Sequence, residues 1–335
     1  MNTDHTQLIS IVVPVFNEEA VVLEFHQRLT ESVSTLPFDF EIVYINDGST
    51  DNTLDQINRL RQQDSRITLL DLSRNFGKEI ALTAGLHKAV GDAVVVIDAD
   101  MQDPPELIPE LIREWQNGYD VVYAQRTHRK GESLIKRTTA HFFYRIIQRV
   151  NKIDIPEDTG DFRLLSRRAV NALNSFSEQH RMMKGLFAWI GYRQKAVRYQ
   201  RDARHAGEPK WNYLKLWNLA LDGITSFTIA PLKISTYLGL LTASGAFTYG
   251  VYMIIDTLLY GNPVPGYPSL IVIILVLGGV QLVAIGILGE YLGRIFNETK
   301  RRPLYFINEY APSVKANARL ATSDHLIRPQ TTQQS

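Results

Sequence analysis

The sequence predicts a mostly parallel α/β domain followed by two membrane-spanning helices. Through residue 125, short apolar runs alternate with amphipathic segments, which is the pattern of a sheet covered by helices. Two later runs, 234–255 and 270–288, contain no charged residue, and each approaches the roughly 20 residues that cross a bilayer as a helix. The 335 residues include 36 basic and 35 acidic side chains and no cysteine, which excludes disulfides and thiolate chemistry.

The strands are expected where apolar runs are bounded by polar or glycine-containing turns, at residues 9–16, 40–45, 67–72, 93–97 and 119–124. The helices are expected at residues 17–34, 51–61 and 79–90 and from about residue 106 onward. Acidic side chains suit the first turn of the first helix, Ser49 or Thr50 can cap the second, and two prolines suit the start of the fourth. Residues 158–163 are expected to form a polar loop before a helix at 166–175.

Acidic side chains end the fourth predicted strand, at Asp98, Asp100 and Asp103. Open α/β sheets bind ligands at the carboxyl ends of their strands. Asp98 and Asp100 could both reach one cation, or one a cation and the other a sugar hydroxyl, and such oxygen ligands suit Mg²⁺ or Mn²⁺ shared with substrate phosphates. The alternative is a polar turn with solvated acids, and these residues alone leave both interpretations open.

The first strand-to-helix junction argues against a dehydrogenase. Residues 14–18 read Pro-Val-Phe-Asn-Glu, where a dinucleotide-binding protein would carry a Gly-x-Gly-x-x-Gly turn.

Positive charge is concentrated ahead of the apolar runs. Residues 126–152 contain eight lysines and arginines against one carboxylate, and their apolar side chains recur near helical period. This pattern predicts either a helix in the membrane interface or an ordinary helix packed on the sheet, and the membrane spans favour the interface. A basic loop at 201–210 suits phosphate contact, and the aromatic stretch 211–227 suits the headgroup layer.

The flanking charges predict the orientation of the two spans. Lys233 precedes the first span, and Arg294 and the basic residues 300–302 follow the second, so the positive-inside rule places both flanks and the α/β domain in the cytoplasm. The polar first residues are not expected to form a signal peptide. The polar tail after Tyr310 is expected to be disordered.

Five motifs and the apolar hairpin carry a resemblance over about residues 8–310. The motifs lie at residues 13–18 (Val-Pro-Val-Phe-Asn-Glu), 46–51 (Asn-Asp-Gly-Ser-Thr-Asp), 75–78 (Asn-Phe-Gly-Lys), 98–103 (Asp-Ala-Asp-Met-Gln-Asp) and 158–163 (Asp-Thr-Gly-Asp-Phe-Arg). In their order and spacing the chain resembles the family 2 glycosyltransferases of the polyprenyl-phosphate type. It is similar to dolichol-phosphate mannose synthases and, in layout, to bacterial bactoprenol (undecaprenyl-phosphate) glucosyltransferases.

This resemblance implies an architecture. The expected fold is a GT-A (Rossmann-like) domain with amphipathic interface helices and a two-helix transmembrane hairpin. The expected divisions are a cytoplasmic catalytic domain at 1–210 with the basic segment 126–152, a juxtamembrane helix at 211–230, spans near 234–256 and 269–291 within 232–293, and a cytoplasmic tail at 294–335. The expected location is the bacterial inner membrane, with both termini in the cytoplasm.

The resemblance also implies roles for individual residues. The nucleotide would be held by Pro14, Phe16, Glu18, Asp47 and Asp98, the donor sugar by Gln102 and Asp103, the metal by Asp100, and the acceptor phosphate by Arg129, Arg204 and Lys210. Catalysis would rest on Asp98, Asp100, Asp161 and Arg126. Asn46 departs from the commoner aspartate of the family.

The implied reaction is inverting transfer of a hexose to polyprenyl phosphate, with UDP-glucose as first choice of donor and other UDP sugars or GDP-mannose left open. A phosphate monoester is largely ionised at neutral pH, so it can attack the anomeric carbon without a strong general base. The expected partners are the donor, the lipid acceptor, the bilayer, Mg²⁺ or Mn²⁺, and further copies in a homo-oligomer such as a tetramer; nucleic acid is not expected. A processive polysaccharide synthase is disfavoured because Gln-x-x-Arg-Trp is absent, and a non-catalytic nucleotide-sugar-binding membrane subunit remains an alternative.

Overall fold

A computed structural model describes residues 6–127, 156, 159–179, 181–199, 230–261 and 266–327. The chain divides into two compact units. The first contains residues up to 148, residues 153–210 and residues from 303 onward, and the second contains residues 149–152 and 211–302. The segment that follows the apolar helices therefore belongs to the first unit.

The first unit is built on an eight-stranded sheet in the order β7-β5-β6-β4-β1-β2-β3-β8. The strands are β1 (Leu8–Val15), β2 (Asp39–Asn46), β3 (Ile67–Leu72), β4 (Ala93–Val96), β5 (Val121–Arg126), β6 (Thr159–Ser166), β7 (Gln194–Tyr199) and β8 (Ile307–Ala311). The pairs β1/β2, β1/β4, β2/β3 and β5/β7 are parallel. The pairs β3/β8, β4/β6 and β5/β6 are antiparallel. The prediction of a mostly parallel α/β sheet is confirmed.

Helices cover the sheet. They are α1 (Val22–Val33), α2 (Thr53–Gln63), α3 (Lys78–Lys88), a 3-10 turn (Pro105–Leu107) that leads into α4 (Ile108–Gln116), α5 (Arg167–Asn174), α6 (Met183–Trp189) and α9 (Val314–Ile327). The central strands are buried along almost their whole length, because helices lie over both faces. Phe25 and Leu29 of α1 and Leu111 of α4 pack in one core cluster with Ile11 and Val95.

The prediction of a polar loop at 158–163 is wrong, because residues 159–166 form the strand β6. This strand is inserted antiparallel between β4 and β5, and Phe162, Leu164 and Leu165 are buried. The charged residues of this segment are typical of a loop. In the structure Asp161 and Arg163 are buried beside Lys78 and Phe187, which belong to other segments. The strand β7 was not predicted either.

The prediction of a disordered tail after Tyr310 is also wrong for residues 311–327, and residues 328–335 lie outside the described residues. β8 pairs with the edge strand β3, and α9 follows it. Two nitrogens of Arg319 donate to the two carboxylate oxygens of Asp92 at 3.1 and 2.8 Å, and Ser313 donates its N–H to Thr68 Oγ1 at 2.9 Å. Residues 307–327 are ordered because β8 pairs with β3, which would otherwise be a sheet edge, and their own polar composition does not reveal this pairing.

The second unit contains two long apolar helices, α7 (Ala230–Tyr260) and α8 (Tyr267–Lys300). Both are long and apolar enough to cross a membrane, over residues 231–260 and 272–300. Large side chains on α7 are mostly exposed, for example Leu241 at 72% and Leu258 at 80%. Such a surface is unfavourable in water and suits a lipid environment. The two predicted apolar helices are confirmed, and each extends beyond its predicted bounds.

Candidate active site

Four loops meet at the carboxyl ends of neighbouring strands in the first unit. They follow β1, β2, β3 and β4, at residues 16–21, 47–52, 73–77 and 97–104. The parallel register sets Val15 beside Asn46, and the N–H of Ile97 bonds to the carbonyl of Val12. The motifs at 13–18, 46–51, 75–78 and 98–103 therefore come together at one edge of the sheet, where α/β proteins bind ligands.

The loops after β1 and β2 hold each other in place. Asn17 has a left-handed backbone with φ 56°, and its N–H donates to Ser49 Oγ at 3.0 Å. Its side-chain oxygen accepts the N–H of Thr50 at 2.8 Å, and the N–H of Glu18 donates to Thr53 Oγ1 at 2.8 Å. A first helix beginning at residue 17 was therefore a wrong prediction. These contacts keep Glu18 in a loop, and α1 begins at residue 22.

The predicted cap of the second helix is wrong for a related reason. Ser49 and Thr50 bond to Asn17 in the neighbouring loop and do not cap α2. Asn52 is the N-cap residue of α2 and makes no side-chain capping bond, but Oδ1 of the preceding Asp51 accepts both the N–H and the hydroxyl of Thr53, at 3.1 and 2.6 Å.

Asp47 fixes the loop after β3. One of its carboxylate oxygens accepts the N–H of Phe76 at 2.7 Å and the other accepts the N–H of Gly77 at 2.9 Å. Burial raises the pKa of Asp47, and these two hydrogen bonds oppose that rise. Gly48 lies against the same loop, and a Cβ there would meet backbone atoms of Arg74 and Asn75 at 2.5 Å, so only glycine fits.

Lys78 is the first residue of α3, and its ammonium joins two strand ends. Its Nζ lies 2.6 Å from Asp98 Oδ2 at the end of β4 and 2.6 Å from Asp161 Oδ2 in β6. Sequence reasoning did not assign a role to Lys78, although it falls within the motif 75–78. The sequence feature that could have indicated such a role is a lysine directly after the turn that ends a predicted strand.

Burial raises the pKa of Asp98 to about 6, against the opposing effect of Lys78. Burial also acts to raise the pKa of Asp161, but the positive charges of Lys78 and Lys184 outweigh it and hold that pKa below its ordinary value. The two carboxylates raise the pKa of Lys78 and outweigh its own desolvation. The ammonium is therefore firmly charged, and it keeps Asp161 ionised in a buried position.

Glu18 faces the acids at the end of β4. Burial, and then the negative charges of Asp100, Asp98 and Asp51, raise its pKa to about 7. Asp100 is exposed, and its Oδ1 accepts the N–H of Gln102 at 3.1 Å next to Met101, which has a left-handed φ of 59°. The site thus concentrates negative charge that a cation would neutralise.

The donor set at this strand end fits Mg²⁺ or Mn²⁺ shared with a bound phosphate. Among the described residues, no three His, Cys, Asp or Glu side chains gather into a complete protein cage for a metal. These ions usually bind one or two carboxylates together with substrate phosphates, and the carboxylates of Asp98 and Asp100 suit that mode.

Asp103 is placed differently from the other acids. It is buried at 2% exposure, and its Oδ1 accepts the hydroxyl proton of Tyr199 on β7. Arg126 Nη2 lies 3.5 Å from the same carboxylate, and Arg126 Nε donates to the Tyr199 hydroxyl at 3.1 Å. Two predicted site residues, Asp103 and Arg126, therefore share one cluster, and Tyr199 is a member that the sequence did not indicate.

Arg163 and Glu79 are further charged residues beside Asp161. Arg163 is 4% exposed, donates to the carbonyl of Gly160 at 2.8 Å and lies with Cζ 3.8 Å from the centre of the Phe187 ring. Burial lowers the pKa of Arg163 to about 10. Burial, and then the charge of Asp161, raise the pKa of Glu79 to about 7.

The helix predicted at 79–90 begins one residue earlier in the structure, at Lys78.

The remaining predicted residues divide into two groups. Pro14 is partly exposed, and Phe16 presents 43% of its surface at the mouth of the site. Arg129, Arg204 and Lys210 lie outside the described residues, as do most of the basic segment 126–152 and almost all of the juxtamembrane helix expected at 211–230.

Comparisons with known proteins agree with this arrangement. Residues 10–173 match the model of glycosyl transferase family 2, and residues 230–295 match the model of the GtrB C-terminal hairpin. The protein is therefore an enzyme of the glycosyltransferase class.

Relatives match nearly the whole chain. An uncharacterized glycosyltransferase of Synechocystis sp. is 51% identical over 92% of this chain and 99% of that protein. The bactoprenol glucosyl transferase of Shigella phage SfV is 52% identical over 89% of this chain and 97% of that protein, and the SfII prophage-derived bactoprenol glucosyl transferase of Shigella flexneri is 52% identical over 90% and 97%. The chain belongs to glycosyl transferase family 2, and its mixed, mostly parallel sheet is of the GT-A type.

Proposed function

We propose that the protein transfers a hexose, with UDP-glucose as the preferred donor, to undecaprenyl or another polyprenyl phosphate at the cytoplasmic face of the bacterial inner membrane. The observation that carries this proposal is the acidic site of Glu18, Asp98 and Asp100, in a chain about half identical to bactoprenol glucosyl transferases over 89–90% of its length. Homologues of this similarity support a polyprenyl phosphate as acceptor, and the choice of glucose follows their names.

The nucleotide would bind across the loops after β1 and β2. Phe16 offers an exposed aromatic face to a base, beside Pro14 and Glu18. Asp47 uses both carboxylate oxygens to hold the loop that leads to Lys78, so its contribution to nucleotide binding is mainly to shape this loop. Asp98 lies between this region and β6, where it can reach the ribose or the sugar.

The donor diphosphate would bind at the end of β4. Asp100, with Asp98 beside it, would hold Mg²⁺ or Mn²⁺ there. When bound, such a cation stabilises the negative charge that develops on the leaving diphosphate. Asp100 is exposed and its loop is fixed by the Gln102 hydrogen bond, so its carboxylate is accessible to an ion and a substrate phosphate. Gln102 is also placed to flank the donor sugar, whereas Asp103 shapes the site through Tyr199 and Arg126.

The transfer would be a single displacement with inversion. An oxygen of the lipid phosphate attacks the anomeric carbon while the bond from that carbon to the diphosphate breaks. Because the lipid phosphate is already ionised, no side chain needs to remove a proton from it. Asp161 would therefore orient groups, and positioning and charge would supply most of the catalysis. Arg126, Arg129, Arg204 and Lys210 are proposed to handle the phosphates.

The hairpin of α7 and α8 would anchor the enzyme where its acceptor resides. The lipid tail of the acceptor stays in the bilayer while its phosphate reaches the site. Lys233 and Arg294 flank the hairpin, and by the positive-inside rule these flanks, both chain termini and the catalytic domain lie in the cytoplasm. We also propose a homo-oligomer, with the exposed apolar faces of the hairpin as its contact surface.

A donor panel tests the proposed function. The purified full chain is incubated with polyprenyl phosphate, Mg²⁺ or Mn²⁺, and radiolabelled UDP-glucose, other UDP sugars or GDP-mannose, and the lipid fraction is counted. Labelled lipid obtained with UDP-glucose supports the proposal. Labelled lipid obtained only with another donor would show that the proposed sugar is wrong. No labelled lipid with any donor, together with tight binding of a nucleotide sugar, would favour the non-catalytic binding subunit.

A further inference from the structure

We propose that Lys78 binds a phosphate oxygen of the sugar donor, while the same ammonium holds Asp98 and Asp161 in position. This inference rests on the proposed function, because it assigns a new residue to the proposed donor site. A phosphate oxygen could belong to the donor diphosphate or to the acceptor lipid phosphate, and the contacts around Asp161 favour the donor.

The ammonium of Lys78 has capacity for a further partner. It carries three protons, and the described residues supply two acceptors, Asp98 Oδ2 and Asp161 Oδ2, each at 2.6 Å. The Lys78 side chain is 46% exposed, whereas those of Asp98 and Asp161 are 22% and 10% exposed. The Lys78 side chain is therefore the most accessible of the three, and an anionic ligand can reach it from solvent.

The backbone fixes where this ammonium lies. Gly77 has φ 96°, a conformation that L side chains rarely adopt, and α3 begins at the next residue. The carboxylate of Asp47 accepts the N–H groups of Phe76 and Gly77, so β2 holds the loop that delivers Lys78. A lysine on a restrained turn loses less conformational freedom on binding an anion than a lysine on an open surface.

Asp161 indicates which kind of ligand completes the site. Its Oδ2 pairs with Lys78, but its Oδ1 is buried and has no hydrogen-bond partner among the described residues. A buried carboxylate oxygen without a donor is unfavourable, so a ligand hydroxyl would satisfy it. A ligand that offers a hydroxyl to Asp161 and an anionic oxygen to Lys78 within one site is a glycosyl phosphate. The sugar and diphosphate of the donor meet this description, whereas the phosphate of a polyprenyl chain has no neighbouring sugar hydroxyl.

The test compares Lys78→Met and Lys78→Arg with Lys88→Met, a matched control at the other end of α3, where Lys88 lies over the Tyr310 ring. The full chain is assayed at saturating Mg²⁺, with the KM of donor and acceptor measured separately and UDP and UDP-glucose binding measured by calorimetry. A hydrogen bond to a charged group is worth about 1.5 to 3 kcal/mol, so we expect Lys78→Met to raise the donor KM roughly 10- to 100-fold. The acceptor KM should stay within about twofold, and Lys78→Arg should recover part of the loss.

Removing the ammonium leaves two buried carboxylates without their counter-ion, so thermal unfolding is measured for each variant. Lys78→Met combined with Asp161→Asn removes one of those charges and keeps the binding test valid if the single variant fails to fold. UDP-glucose binding that is weaker in this double variant than in Asp161→Asn alone supports the inference, because Asp161 is itself proposed to contact the donor sugar. An unchanged donor KM, a fall in kcat alone, or a rise in the acceptor KM alone would overturn it. Wild-type protein is assayed first, so a lack of labelled lipid there counts against the proposed function and not against Lys78.

Discussion

Asn308 donates a hydrogen bond from Nδ2 to Oδ2 of Asp71 at 2.7 Å. The other oxygen of Asp71 accepts Nδ2 of Asn46, also at 2.7 Å, and Asn46 Oδ1 accepts the N–H of Ser49 at 3.2 Å. A chain of amide and carboxylate groups therefore connects the tail beyond the apolar hairpin with the loop after β2. It also explains why position 46 is an asparagine, because an aspartate would set two carboxylates against each other at a buried site.

We expect Asn46→Asp to destabilise the protein, because the new carboxylate would face Asp71 without a donor between them. The cost of an unsatisfied buried group is about 1 to 3 kcal/mol. Thermal unfolding of the full chain in detergent measures it. Asn46→Asp combined with Asp71→Asn restores one donor and one acceptor at this contact and should recover most of the stability. Full stability of the single variant would contradict this account of position 46.

The tail should contribute stability through Arg319. Two of its nitrogens bind both oxygens of Asp92, and one also donates to the carbonyl of Val90 at 3.2 Å. The pair is partly exposed, so Arg319→Ala should cost about 1 kcal/mol, the upper end for a surface ion pair. Limited proteolysis should then cut the tail faster than in wild type. Arg113→Ala, which removes an exposed pair with Glu110, is the control and should change neither measurement.

Glu79 should make stability depend on pH. Its folded pKa is raised from 4.5 to about 7, so its protonated form is favoured in the folded protein. The stabilising effect of this protonation is complete below about pH 4.5 and is lost as the pH rises to about 7. Glu79→Gln removes this loss of stability at high pH, which amounts to at most about 3 kcal/mol in the free energy of unfolding. The melting temperature of the variant relative to wild type should therefore be higher at pH 8 than at pH 5. An equal difference at both pH values would contradict the assignment.

Asp100 should be needed for activity but not for folding. Asp100→Ala removes the exposed carboxylate proposed to hold the cation, and loss of one group that stabilises transition-state charge costs on the order of 10²–10³ in kcat. Thermal unfolding should match that of wild type, since Asp100 is exposed. Asp55→Ala is a suitable control because Asp55 is also an exposed carboxylate and lies in α2, outside the loops that form the site. Retention of Mg²⁺-dependent transfer by Asp100→Ala would show that the metal ligand is misassigned.

The elements that could be predicted from the sequence are those whose own residues are mainly apolar and buried. The strands β1 to β4 are mostly apolar, and the acids that end β4 indicate a ligand site without any three-dimensional information. The strand β6 escaped prediction because its charged residues are typical of a loop, whereas in the structure Asp161 pairs with Lys78, far away in the sequence, and Arg163 donates to the carbonyl of Gly160 in the same strand. The strand β8 escaped because five mostly exposed residues become a strand only by pairing with β3.

The site was predictable in its location and less so in its contacts. Glu18, Asp98 and Asp100 converge as expected from their motifs. The contact of Lys78 with both Asp98 and Asp161 depends on the turn at Gly77 and on the antiparallel insertion of β6, and neither is encoded by local spacing. Likewise, the role of Asp47 in fixing a loop becomes clear only when its two hydrogen bonds are known.

Mass spectrometry of the lipid product tests the central claim most directly. Wild-type protein and Asp100→Ala are incubated with polyprenyl phosphate, UDP-glucose and Mg²⁺, and the lipid is analysed intact. We expect wild type to add the mass of one hexosyl unit to the lipid, and Asp100→Ala to convert roughly 10²–10³-fold less lipid in the same time. Unmodified lipid with wild-type protein and every nucleotide sugar supplied would contradict it.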